Sequence, residues 1–101
     1  GKRDTTTVPT QALYLLNDPF VRQQAGALAE RVLKGDMADA SRIQVVYRLT
    51  LNRAATDAEI ERLTGYLADY EPGPGETNPR AAAWTSLCHA ILASAEFRYV
   101  R

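Results

Sequence analysis

Three observations predict an all-α fold, a compact bundle of about five helices with antiparallel neighbours. Apolar residues recur with a period near 3.6 in four long segments, and no stretch alternates with period 2. Helix-start signals, Asx-Pro or Thr-x-x-Glu, stand ahead of several of those segments. The connections are short, which favours side-by-side, antiparallel packing of consecutive helices.

The polar opening Gly1-Lys2-Arg3-Asp4-Thr5-Thr6-Thr7 reads as a disordered arm or linker, and residues 8–101 as one helical domain. Lacking an initial Met, the chain reads as a piece of a longer protein, with Gly1 a cloning remnant. No apolar signal-peptide core is present. After Val8-Pro9-Thr10-Gln11, the run Ala12-Leu13-Tyr14-Leu15-Leu16 predicts a short helix, apolar nearly all round and therefore wedged between others.

Asn17-Asp18-Pro19 supplies an N-cap and a proline at the first helical position, where its missing N–H costs nothing. Val21, Ala25, Leu28, Ala29, Val32 and Leu33 then form one apolar stripe. Gly35 is expected to end this helix in the left-handed conformation. The next helix is expected from Ala40 or Ser41 to about Asn52-Arg53, with Asp39 as its cap. Ile43, Val46, Tyr47 and Thr50 face inward, and Val45 and Leu49 widen the apolar side.

Thr56-Asp57-Ala58-Glu59 has the form of a capping box. The helix behind it is expected to bury Ile60, Leu63, Leu67 and Tyr70, with close packing at Gly65. Residues 71–78 form one exposed Pro/Gly-rich loop. Asn78-Pro79 starts the last helix, whose stripe is Trp84, Leu87, Cys88, Ile91, Leu92 and Ala95. The pattern loosens at Ser94-Ala95-Glu96, so Phe97, Tyr99 and Val100 are expected to fold back as an aromatic tail.

The composition excludes more than it assigns. With 46% hydrophobic and 24% charged residues, the 101-residue chain is an ordinary globular domain able to bury a core. Twelve bases balance twelve acids, the charges divide between helix ends and solvent faces, and neither nucleic acid nor an anionic membrane is indicated. No apolar run reaches the roughly 18 residues that membrane insertion needs. A single cysteine forbids an intrachain disulfide and a thiol-based zinc site.

Cys88-His89 lacks the second thiol of a haem-attachment motif, and neighbours on a helix diverge by about 100°. Cys88 is expected in the core and His89 part-exposed. The acidic residues Asp36 and Asp39 do not complete a calcium loop. Helix 56–70 presents acids where a DNA-reading helix needs bases. No residue is assigned as catalytic, cofactor-binding or metal-ligating. The polar residues to suspect, should the domain complete a shared active site, are His89, Arg53, Asn17 and Asp18.

The run Val8-Pro9-Thr10-Gln11-Ala12-Leu13-Tyr14-Leu15-Leu16-Asn17-Asp18-Pro19-Phe20-Val21 resembles the start of a C-terminal domain of unknown function in large planctomycetal proteins. Arg42-Ile43, Tyr47 to Arg53, the Thr56–Glu59 cap and Ala83-Trp84 through Val100 are similar to the same family. The family often has Pro before the capping Thr where this chain has Ala55, which predicts a looser turn. The resemblance implies an exported, multidomain parent, often with a cytochrome c-type module upstream that would carry the haem motif absent here. It transfers no catalytic residue and no cofactor. It implies a helical, non-catalytic module that contacts the upstream domain or a protein partner in redox or polysaccharide-related metabolism. The polar arm and the short apolar helix are the expected contact surfaces.

Overall fold

A computed structural model describes residues 18–100, with side chains described through Ser94. The described residues form four helices rather than about five: α1 Pro19–Leu33, α2 Asp39–Leu51, α3 Asp57–Asp69 and α4 Pro79–Val100. The helix expected over Ala12–Leu16, like the arm 1–7, lies outside the described residues. No strand occurs among them.

α1 begins as its sequence dictates. The Asp18 carboxylate accepts a hydrogen bond from the Phe20 N–H at 2.9 Å, and Pro19 takes the first helical position. Val21, Ala25, Ala29 and Val32 are buried, and Leu28 and Leu33 pack beside them. Gly35 does not form a left-handed stop. Lys34 remains right-handed, and the tight bend is secured from outside the helix by Arg42.

α2 starts at Asp39, one or two residues earlier than expected, and Asp39 is not its cap. Ala38 occupies the N-cap position without a side-chain hydrogen bond, which frees the Asp39 carboxylate to pair with Arg42 and Arg80. Ile43, Val46 and Tyr47 are buried, but Leu49 is 49% exposed and does not extend the core face. The left-handed stop of this helix is Asn52, at φ 58°.

The capping box of α3 is complete. The Thr56 hydroxyl accepts from the Glu59 N–H at 3.1 Å, and Glu59 accepts from the Thr56 N–H at 2.8 Å. Ile60, Leu63, Leu67 and Tyr70 are only half-buried, so α3 leans on the core without entering it. Gly65 is exposed with nothing near its Cβ position, contrary to the close approach expected there.

Residues 71–78 are exposed, and Gly75 alone among them takes positive φ, at 82°. Asn78 then caps α4 by accepting from the Ala81 N–H. α4 runs unbroken to Val100, because nothing in Ser94-Ala95-Glu96 stops a helix, and the expected fold-back at Phe97 does not occur in its backbone.

The core lies where α1, α2 and α4 meet. Trp84, Ile43, Leu87, Val32, Val46 and Cys88 are its largest fully buried side chains. Small residues on α1, Ala25 and Ala29, allow α4 to approach closely, and this pair of helices shares the most extensive packing. α1 and α4 are antiparallel: Ala29 and Leu33 lie beside Ala81 and Thr85, while Phe20 and Val21 lie beside Leu92. α3 and α4 are antiparallel as well, with Leu67 and Tyr70 against Pro79 and Ala83. α2 instead runs parallel to α4, since Asp39 meets Arg80 at one end and Leu49 neighbours Leu92 at the other.

Candidate functional site

Among the described residues two polar clusters and an apolar groove stand out, beside a depression of about 450 Å³ between α1 and the start of α4 that Glu30, Lys34, Asn78 and Thr85 help to line. The first cluster centres on Arg42, only 7% exposed. Its Nε donates to the Val32 carbonyl at 2.9 Å, one terminal nitrogen to the Gly35 carbonyl at 2.6 Å, and the other to Asp39 at 3.0 Å. Asp39 also accepts from Arg80 at 2.8 Å, so one guanidinium and one carboxylate join the end of α1, the start of α2 and the start of α4. Hydrogen bonding from Arg80, and then from Arg42, holds the Asp39 carboxyl below its ordinary range despite partial burial. Each of the three guanidinium nitrogens of Arg42 donates to a protein acceptor, which suits a structural clamp.

The second cluster is the α2–α3 turn. Arg53 grips Glu59 with two parallel hydrogen bonds of 2.9 and 2.8 Å, and its guanidinium carbon lies 5.1 Å from the centre of the Tyr47 ring. The Arg53 bonds, with the Thr56 N–H beside them, push the Glu59 carboxyl down to about 2. Burial is the main cause of a raised Tyr47 hydroxyl, with Glu59 adding to it. Ala55 does not loosen this turn. Its N–H donates to Gln44 Oε1 at 2.8 Å and its carbonyl accepts from Gln44 Nε2 at 3.1 Å, a reciprocal pair that proline could not complete.

The four suspected polar residues are therefore mostly engaged apart from one another. Asp18 caps α1, Arg53 is held by Glu59 and Tyr47, and Asn17 lies outside the described residues. His89 is part-exposed on α4, yet its Nε2 is buried with no hydrogen-bond partner among the described residues. Cys88 is fully buried, and desolvation pushes its thiol up to about 12, so it stays neutral and unreactive. Among the described residues no three His, Cys, Asp or Glu side chains gather as a metal-holding group, and no helix is long and apolar enough to cross a membrane.

The groove runs along the outer side of α1 where α2 and α4 flank it. It consists of two adjoining depressions of about 330 and 250 Å³ that share Gln24 and Leu92. Phe20, 63% exposed, stands at one end, and Leu49 lines the other with Leu28. Sequence reasoning missed this groove because Leu49 was read as widening the core face of its helix and Phe20 was given no structural role. Of the bases on α1 only Arg31 lines it.

Charge is also less evenly spread than the zero total implies. Residues 19–53 carry six bases and three acids, whereas residues 54–78 carry one base and six acids. After the two clusters above are formed, α1 and α2 keep Arg22, Arg31, Lys34 and Arg48 exposed.

Compared with known families, residues 1–67 match the model of PSD1, a protein of unknown function (DUF1553). No curated protein and no solved structure matches the chain.

Proposed function

The chain belongs to the PSD1 (DUF1553) family of unknown function, and we propose that it serves as a helical docking module rather than as a catalyst. The observation that carries this reading is the contrast between its polar and apolar groups. Arg42, Asp39, Arg80, Arg53 and Glu59 are engaged with one another in clamping helix ends, while Phe20 and Leu49 stand in the open beside a groove. Those polar groups already satisfy one another, whereas exposed apolar surface gains free energy by being covered.

The resemblance of the opening and closing motifs extends the proposal. The module ends a large exported planctomycetal protein with a cytochrome c-type module upstream, and it packs on the preceding domain or on a protein partner. Neither nucleic acid nor a cofactor enters this reading. A rival reading, in which the module completes an active site with the upstream domain, draws support from the unpartnered Nε2 of His89.

Thermal unfolding of the chain alone and joined to its natural upstream region separates the two. Docking predicts a single merged transition, or a midpoint raised by several degrees, that persists in His89→Gln. Two unshifted, independent transitions would contradict docking. A parent activity lost in His89→Gln, with the melting temperature retained, would favour the rival.

A further inference from the structure

We propose that the apolar run at residues 12–16 of this chain folds back on α1 and covers the Phe20 end of the groove. The inference goes beyond the docking reading and does not depend on it.

Phe20 is the most exposed large apolar side chain among the described residues, at 63%. It stands in the first turn of α1 and lines a depression of about 250 Å³ with Val21, Gln24 and Leu92. No charged side chain lines that depression, so an apolar occupant suits it. Its volume falls below the roughly 300–1,000 Å³ of ordinary small-molecule sites and matches inserted side chains better.

The chain itself brings such side chains to the place. Ala12, Leu13, Tyr14, Leu15 and Leu16 carry no charge, and Leu16 stands two residues before the Asp18 cap. Asp18 is extended, at φ −73° and ψ 121°, so the chain leaves the line of α1 there. Two residues, Asn17 and Asp18, suffice to join antiparallel helices, and asparagine accepts the left-handed conformation that ends the first of them. Taken as a helix, the run from 12 to 16 rises about 6 Å, as does α1 from Phe20 to Gln24. Leu13 and Leu16, three residues apart, then share the face turned to Phe20, Gln24 and Leu92.

Tethering selects this occupant. A run held two residues from α1 closes a short loop at little entropic cost, whereas a separate partner gives up translational and rotational freedom. Residues 1–67 match one family model, so the run belongs to the same family unit as α1, α2 and nearly all of α3. The cover ends near Gln24. Leu28, Arg31 and Leu49, at the other end of the groove, stay open to the docking partner. Folded back in this way, the chain before residue 12 heads toward that open end and delivers a preceding domain to it.

Nuclear Overhauser spectra of the full 101-residue chain test the proposal. Contacts are expected between the Phe20 ring protons and the methyl groups of Leu13 and Leu16, unchanged on dilution. Limited chymotrypsin digestion gives a second readout. Phe20→Asp should speed cleavage after Tyr14 about tenfold, because the run is cut in proportion to its open population. Arg22→Asp, exposed on α1 but outside the lining of the depression, should leave that rate unchanged. Cleavage after Tyr47, buried in α2, should stay slow in both variants. Absence of the contacts, equal cleavage of the native chain and Phe20→Asp, or equal acceleration by Arg22→Asp would overturn the proposal. So would contacts to Phe20 from residues 95–101 instead, or contacts that fade on dilution and so mark a second copy. If Phe20→Asp also opens Tyr47 to the protease, the contacts in the native chain decide alone. Those contacts together with two unshifted transitions in the joined protein would keep this proposal and remove the docking reading. Their absence together with a merged transition would do the reverse.

Discussion

Glu59 carries three roles in one carboxylate: it closes the capping box, accepts both nitrogens of Arg53, and orders the turn beneath Tyr47. Its folded pKa of about 2 lies below the ordinary 4.5, so its stabilisation is fully present above that ordinary value. It is lost as the pH falls through the folded value, because the protonated carboxyl no longer attracts Arg53. The melting temperature of the native chain should therefore exceed that of Glu59→Gln at pH 6. The gap should close between about pH 4.5 and pH 2, as thermal melts across that range would show. A gap independent of pH would mean that the carboxylate charge contributes nothing. The Thr56–Glu59 pairing was legible as a capping box, whereas the Arg53 grip was not, since five intervening residues fix no distance until the turn is folded. Arg42 is a harder case. Its three partners come from positions 32, 35 and 39, and its burial follows from the crossing of α1 over α2, which no local pattern encodes.

At the scale of elements, the starts were easier to read than the stops. Asp18-Pro19, Thr56 and Asn78-Pro79 act through the first turn alone, so their effect is set by a few adjacent residues. Stops depend on what the chain meets next. Gly35 has the left-handed option and does not use it, while Asn52 adopts φ 58° where the chain must reverse between α2 and α3. That reversal is held by Gln44 through both polar groups of the Ala55 backbone. Ala55→Pro should lower stability by roughly 1–2 kcal/mol. It removes the N–H that Gln44 Oε1 accepts, and the stiffening of the unfolded chain offsets only part of that loss. Urea unfolding measures the change, and a gain in stability would show that the Gln44 bond is dispensable. The half-burial of α3 was not legible for a related reason. Its 3.6-residue stripe identifies an apolar face but not how far that face sinks between α2 and α4.

Across the whole molecule, the sequence predicted the class and the core and left the working surface unread. Trp84, Leu87, Cys88 and Ile91 are buried as their spacing requires, around the small residues of α1. Trp84 is the largest of the fully buried side chains, and truncating such a residue typically costs about 3–5 kcal/mol. Helix periodicity finds the inside of a bundle because the inside is continuous with the stripe. An exposed groove depends on the gaps between three helices, so Phe20 and Leu49 look like ordinary helix residues until α1, α2 and α4 are packed. Net neutrality likewise concealed an excess of bases over residues 19–53 and of acids over residues 54–78. The central claim is that this domain works by being covered. Hydrogen–deuterium exchange tests it most directly, comparing the chain alone with the chain joined to the upstream domain that the proposal gives it. Docking predicts slowed exchange along α1 and the end of α2, with the Arg42 and Arg53 clusters unchanged. Identical exchange in the two forms, over every segment, would contradict it.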